Sequence, residues 1–257
     1  MIIRNEQVEE LAAATRRGFE NEMVVHLAEF SPPLFKAAGE DPLRTAIRLG
    51  MSRAAGYGFD ERGPVRLYLE MMLLFGSYFD TDPQYTWAAE ILTNREVGYQ
   101  MQRAEMLYER TLHYRKNVVG PEDDYTLQAL RKIRRWAQQP VPEVGENLLP
   151  AILREISFVY PQKADYVGAE ALEELVIEGR GAALRHGIST VRGTGVMIVL
   201  MLAFGHGCFE DPLYPWISRT LGDLAVVDPE DRVNRLETKA LIWLDHVLAH
   251  FDGGAKT

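Results

Sequence analysis

The first half of this chain recurs in its second half at a constant offset of 129 residues. The matched positions include a tryptophan, an Asp-Pro pair and four glycines, and no gap is needed from Gly39 to Leu92. Unrelated segments do not keep these residue types in register, so we predict two tandem copies of one domain related by pseudo-twofold symmetry. The residues of the first copy that are repeated 129 positions later are Gly39, Leu43, Gly50, Ala54, Gly58, Met72, Leu73, Phe75, Gly76, Asp82, Pro83, Tyr85, Trp87 and Leu92.

Three segments follow from this repeat. We predict the first copy over residues 1–120, a linking helix and Pro-rich linker over 121–142, and the second copy over 143–257. Each copy has about 120 residues, which is enough to bury a core of its own. The linker is predicted from Pro140-Val141-Pro142, where a helix cannot continue.

Apolar residues follow a helical period through most of the chain, and no segment alternates convincingly with the period of a strand. A long amphipathic helix is predicted from Val8 to Phe30, where Pro32 and Pro33 end it. We therefore expect an all-α protein with about five helices in each copy. The other predicted helices cover residues 42–57, 64–75, a segment starting at Asp82-Pro83, 101–117, the linking helix 125–138, and 232–251.

Most of the repeated residues have structural explanations. Gly58 and Gly187 are predicted to end helices in the left-handed conformation, which glycine adopts without strain. Each Asp-Pro pair is predicted to start a helix. Features specific to this protein are therefore expected where the copies differ. These places are the 77–81 and 206–210 loops, the apolar helix 196–204 and the linking helix.

Composition limits the classes of function. The net charge of −9 disfavours nonspecific binding to nucleic acid and to anionic membranes. A single cysteine, Cys208, excludes an internal disulfide and a cysteine-rich metal site. The start of the chain lacks the pattern of a signal peptide, and the longest apolar run, Val196 to Phe204, is too short to span a bilayer. We expect a cytoplasmic protein.

Few residues suggest chemistry. His246 and His250 lie four residues apart on a predicted helix, a spacing that would let both imidazoles bind one metal ion, but no third ligand is evident. His206 and Cys208 share a loop, where a buried structural cysteine is the simpler interpretation. The sequence therefore predicts no catalytic residues and no cofactor, with the two histidines as a weak metal candidate.

Protein contacts are predicted instead from the divergent loops and from a basic cluster. The cluster, Arg131 to Trp136, lies on the linking helix, where its cations can pair with the acidic domains or dock an acidic partner. The candidate partner-binding residues are Tyr78, Phe79, His206, Phe209, Arg131, Arg134 and Arg135.

One stretch of the first copy resembles a known group of proteins. The segments are Ile47 to Met51, Ala55 to Phe59, Tyr68-Leu69, Phe75 to Pro83, Trp87-Ala88 and Ile91-Leu92. They are similar to small helical proteins encoded in proteobacterial type VI secretion gene clusters, near the genes for VgrG and PAAR spike proteins and toxic effectors. The resemblance implies an accessory, protein-binding role, although those relatives carry one copy and this chain carries two.

Three functions remain open from the sequence. The first is a non-catalytic chaperone or adaptor that holds a type VI secretion effector or loads it onto the spike. The second is an immunity protein that binds a toxin. The third is a metal-binding helical enzyme that uses His246 and His250. For the first two, the expected partner is a protein rather than nucleic acid or membrane, and the chain is expected to be a monomer of dimer-like form or a homodimer.

Overall fold

The computed structural model describes residues 5–94, 96, 98–139 and 148–254. Within these ranges the chain forms thirteen α-helices and no strand, which confirms the all-α prediction. No helix of the described ranges is both long and apolar enough to cross a membrane. The helices are α1 (Asn5–Phe30), α2 (Pro32–Ala38), α3 (Glu40–Gly56), α4 (Arg62–Phe75), α5 (Thr86–Thr93), α6 (Gln100–Tyr114), α7 (Asp124–Ala137), α8 (Leu148–Val159), α9 (Pro161–Val167), α10 (Ala169–Arg185), α11 (Val191–Phe204), α12 (Pro215–Leu221) and α13 (Pro229–Gly254).

The predicted helix boundaries need three corrections. Pro32 and Pro33 end α1 but also begin α2, because proline is tolerated in the first turn of a helix. Helix α3 starts at Glu40 rather than after Asp41, with Gly39 as its N-cap. The Asp82-Pro83 pair starts a 3₁₀ turn that leads into α5. The predicted linker residues Pro140 to Pro142 lie outside the described ranges.

The helix boundaries of the first half recur in the second. Helices α2, α3 and α4 have the same bounds as α9, α10 and α11 once 129 is added to each residue number. The two halves diverge afterwards, since α6 continues into a π-helical turn, Arg115–Val119, whereas α13 runs uninterrupted to Gly254. Helix α7 then connects the halves.

The predicted glycine caps are confirmed in both halves. Gly58 and Gly187 have φ angles of 74° and 76°. The backbone N–H groups of the next residues, Phe59 and Ile188, each donate back to the helix at 2.9 Å, and both side chains are buried. Each apolar residue therefore closes the end of its helix against the core.

Each half has its own apolar core, organised around one phenylalanine. In the first half the Phe75 ring contacts four aromatic rings, and in the second half the Phe204 ring contacts three. The Phe75–Trp87 and Phe204–Trp216 rings both meet edge to face, at 5.9 and 6.0 Å. Such pairs add about 0.5–1.5 kcal/mol beyond their buried area. The remaining partners are Phe79, Tyr85 and Tyr114 for Phe75, and Tyr214 and Trp243 for Phe204.

The two halves meet where α4 and α11 end. Gly76 and Gly205 follow these helices, with φ angles of 95° and 92°. A Cβ atom on Gly76 would lie 2.5 Å from the Phe204 carbonyl oxygen, and one on Gly205 would lie 2.7 Å from the Phe75 carbonyl oxygen. The close approach is thus reciprocal, and neither glycine has room for a side chain. We call this contact between the backbones at Gly76 and Gly205 the crossing.

Two buried aspartates fasten the same crossing. The Asp211 carboxylate accepts hydrogen bonds from the backbone N–H and the hydroxyl of Ser77, at 2.7 and 2.6 Å. The Asp82 carboxylate accepts one from the backbone N–H of His206 at 2.7 Å. Burial raises the pKa of both carboxyl groups, opposed by these hydrogen bonds. Each aspartate also accepts a hydrogen bond from a backbone N–H of its own turn. Each carboxylate therefore binds the backbone of its own half and of the opposite half.

We predict that Gly76→Ala destabilises the protein far more than Gly39→Ala. Both residues have φ near 90° with an extended ψ, of 171° and 155°, a region that essentially only glycine occupies, so both substitutions carry backbone strain of about 1–3 kcal/mol. Only at Gly76 does the new Cβ meet a backbone oxygen, whereas nothing lies within 4 Å of one at Gly39. Urea denaturation measures the free energy of unfolding of the two variants. Equal losses of stability would contradict the close approach of Gly76 to the Phe204 backbone.

Candidate functional site

A row of hydrogen-bonded polar side chains connects the two halves. We call Arg53, Asp80, Thr81, Glu178 and His206 the polar seam. Arg53, from α3, donates to the buried Asp80 carboxylate at 2.6 and 3.1 Å and also to the Thr81 hydroxyl at 3.3 Å. Asp80 is 2% exposed, so this ion pair is largely withdrawn from water.

His206 carries the seam into the second half. Its Nε2 lies 3.2 Å from the Thr81 hydroxyl, and its Nδ1 lies 3.0 Å from the Glu178 carboxylate on α10. Hydroxyl, imidazole and carboxylate thus occur in the order of a nucleophile, a base and an orienting acid. However, the Thr81 oxygen already receives the Arg53 hydrogen bond and contacts the Tyr78 carbonyl at 3.2 Å. These contacts occupy the hydroxyl, which favours a structural link over catalysis.

Two tyrosines of the first half surround the Asp80 carboxylate. Burial, with the negative charge of Asp80 as the second cause, raises the pKa of Tyr57 to about 12 and also raises that of Tyr68. Both phenols therefore stay protonated at neutral pH. The positions 129 residues after Arg53 and Asp80 hold Ala182 and Phe209, so this polar cluster is specific to the first half.

The predicted contact residues of the two loops differ in how buried they are and in what they contact. Tyr78 is half-buried, with its ring against Gly207 and under the Arg53 guanidinium at 5.0 Å. Phe79 is fully buried, and because a buried ring cannot contact a partner, it leaves the set of candidates. His206 belongs to the polar seam, and Phe209 is half-buried beside the His186 ring. Cys208 is buried, as expected for a structural cysteine.

The basic cluster of α7 faces α13. Arg131 pairs with Asp252 at 2.7 Å, and Arg134 pairs with Asp245 at 2.5 Å. Arg135 is exposed and lines the same shallow surface pocket as these ion pairs. Arg131 and Arg134 are thus already used within the chain, and Arg135 is the cation of the three that remains most available to a partner.

The two candidate metal ligands lie on the exposed side of α13. His246 Nδ1 is 2.7 Å from the Ile242 carbonyl oxygen of its own helix. Within the described residues, no group of three or more histidine, cysteine or acidic side chains is arranged to hold a metal ion. His246 and His250 therefore find no third ligand in that part of the chain, and the metal-dependent interpretation gains no geometric support.

A wide apolar groove opens between the halves. We call it the open groove; its volume is 560 Å³, and its walls come from α4, α6, α7 and the second half. Four large apolar side chains on its lining are 41–53% exposed, although neighbouring residues of the same helices are buried. These four side chains share one lining, and contiguous exposed apolar residues mark binding sites more often than single exposed residues do. The four residues are Phe30, Leu74, Tyr108 and Leu112.

None of these four residues was a contact candidate from its sequence pattern. A signal was present, because the positions 129 residues after Leu74 and Tyr108 are Ala203 and Glu237. These differences lie within helices rather than in loops. Apolar residues at helical spacing are usually core, so the sequence alone could not show that Leu74 and Tyr108 face solvent.

One buried cation lies beneath the open groove. The Lys163 ammonium on α9 donates to the Leu202 carbonyl oxygen at 2.7 Å and lies 5.7 Å from the centre of the Tyr85 ring. Burial lowers the pKa of Lys163 to about 8, partly opposed by the negative charge of Asp82. At neutral pH the protein therefore keeps a charge in an apolar setting at a cost in stability.

We predict that the loss of stability caused by the buried charge of Lys163 decreases at alkaline pH. Between the folded pKa of about 8 and the ordinary value of 10.5, the unfolded chain binds more protons at Lys163 than the folded chain does. The free energy of unfolding contributed by this group therefore rises with pH across that window, by roughly 3 kcal/mol in total. Urea denaturation of wild type and Lys163→Met from pH 7.5 to 10 measures the contribution. Parallel pH profiles would contradict it.

We also predict that Arg53→Met destabilises the protein by about 3–5 kcal/mol, because it leaves the buried Asp80 carboxylate without its cation. The matched control is Arg115→Met, since Arg115 is exposed and lies 3.4 Å from Asp123. Loss of an exposed pair costs about 0–1 kcal/mol. Thermal and urea unfolding compare the two variants, and similar losses would show that the Arg53 pair is not effectively buried.

The chain was also compared with known proteins. No protein-family model, no curated protein and no solved structure matches it. The likeness to proteins of type VI secretion gene clusters therefore rests on the residues between Ile47 and Leu92 and stays a prediction.

Proposed function

We propose that this chain is a non-catalytic, protein-binding accessory protein. In this proposal it acts in the cytoplasm as a chaperone or adaptor for a type VI secretion effector. The resemblance of its first half to proteins of type VI secretion gene clusters supports a role in secretion, and the open groove is the proposed binding surface.

The exposed apolar lining of the open groove is the observation that carries the proposal. Leu74, Tyr108 and Leu112 project from α4 and α6 into a space that both halves enclose. Removing apolar area from water contributes about 25 cal/mol per Å² on burial. A partner that covers these side chains would gain binding energy from the same surface that the free chain leaves in water.

We further propose that the chain is a duplicated domain whose copies pack as a dimer would. The reciprocal contacts support this: Gly76 against Gly205, and Asp82 and Asp211 each binding the opposite half. An isologous dimer uses the same patch on both partners, and a tandem duplication would join those partners in one chain. The joined form would let the two halves diverge, which two identical subunits cannot do.

The polar seam and the histidine pair favour this role over an enzymatic one. The Thr81 hydroxyl is held by Arg53 and by the Tyr78 carbonyl, and His246 is bound to its own helix. These groups work as links within the fold. Protein contacts need no such chemistry, only the apolar surface and its charged rim.

Co-expression tests the proposal. We expect the full chain to co-purify with one of the proteins encoded beside its gene, as a complex that survives gel filtration. Binding to none of those neighbours, with the chain itself folded, would overturn the proposed function. Deleting the gene separates the two protein-binding roles: an adaptor is needed for secretion of the effector, whereas an immunity protein is needed for survival in its presence.

A further inference from the structure

Helix α7 covers one apolar face of the second half. Its side chains Leu130, Ile133 and Trp136 lie over α11 and α13, and only 60 Å³ remains between them. Deeper along α7, Leu127 is buried with Leu244 and Leu248 of α13. The face made by α11 and α13 is therefore already occupied by an amphipathic helix from the same chain.

The corresponding face of the first half is bordered by α7 along one wall of the open groove but is not covered by it. The residues of α4 and α6 that line the open groove lie 129 positions before residues that α7 covers: Leu67 before Val196, Met71 before Leu200, and Leu112 before Leu241. The cavity volume is 560 Å³ here, against 60 Å³ under α7. Thus one face of this type is filled by a helix and its counterpart is open.

We propose that the open groove binds one amphipathic helix of a partner protein, alongside α7. This inference rests on the proposed function and specifies the partner at that site. Helix α7, bound on the equivalent face of the second half, indicates the form of the ligand. The ligand helix would carry apolar side chains at intervals of three and four residues, and this apolar face would cover Leu74, Tyr108 and Leu112. Helix-in-groove recognition uses this pattern of anchors.

The rim of the groove sets the charge of the bound helix. Asp245, at the edge of the covered face, pairs with Arg134 of α7. The residue 129 positions earlier in the sequence is Lys116, which is exposed and follows Arg115, a residue of the groove lining. A helix that reaches this end of the open groove therefore meets Arg115 and Lys116, whereas α7 meets Asp245. The preferred ligand carries an acidic residue at the position that Arg134 occupies in α7.

Two synthetic peptides test this assignment on the intact protein. One has the sequence of residues 122–139, and the other has the same sequence with Arg134→Glu. By fluorescence anisotropy, we expect both peptides to bind, and the Arg134→Glu peptide to bind about threefold more tightly, as one exposed ion pair allows. Lys116→Glu in the protein should reverse that preference.

A variant of the groove provides the decisive control. Leu112→Glu introduces a charge on the groove lining and should weaken both peptides at least about tenfold, the loss expected when a buried apolar contact is replaced by an uncompensated charge. Leu184→Glu is the matched control, because Leu184 is an exposed leucine of α10 outside the groove, and it should leave binding unchanged. Absence of peptide binding, or equal binding to Leu112→Glu and wild type, overturns the proposal. So does concentration-dependent dimerisation that Leu112→Glu abolishes, because a second copy would then fill the groove.

The outcomes distinguish this inference from the proposed function. If the Leu112→Glu protein still co-purifies with its neighbour-encoded partner, the helix assignment fails while the protein-binding role stands. If the peptides bind as described but no neighbour-encoded protein is captured, the groove assignment stands and the secretion role fails.

Discussion

The reciprocal crossing of Gly76 and Gly205 is the constraint on which the rest of the structure depends. At this point two backbones approach so closely that a Cβ on either glycine would overlap a carbonyl oxygen of the other half. The crossing positions Phe75 and Phe204, the centres of the two aromatic clusters. It also brings Asp82 and Asp211 to backbone N–H groups of the opposite half, so that buried hydrogen-bonding groups are satisfied across the junction.

Sequence patterns predicted the local roles of these residues but not their contacts across the junction. Asp82-Pro83 is a recognisable helix start, and the Asp82 side chain does cap its own turn. The same carboxylate also binds His206, 124 positions later, and nothing local encodes that second bond. Gly76 directly follows the predicted helix 64–75, whereas its close approach to Phe204 depends on how the two halves pack.

The open groove shows a second limit of the sequence. Periodicity identifies the apolar face of a helix, and Leu74 and Leu112 fit such faces on α4 and α6. It does not identify which apolar face finds a partner within the chain. That depends on the path of the chain, which turns at Gly120 before α7 begins, and α7 then packs along α13. The basic residues of α7 were predicted to pair with the acidic domains, and Arg131 and Arg134 do so.

The halves differ in ways that follow from the position of α7. In the second half, α7 shields the face of α11, and that helix is apolar almost throughout its length. In the first half, the corresponding face is exposed at Leu74, Tyr108 and Leu112, and Glu70 lies 129 positions before Val199 of the covered face. A connecting helix can cover only one of two equivalent faces. In this structure α7 closes the face of α11 and α13 and leaves part of the face of α4 and α6 exposed.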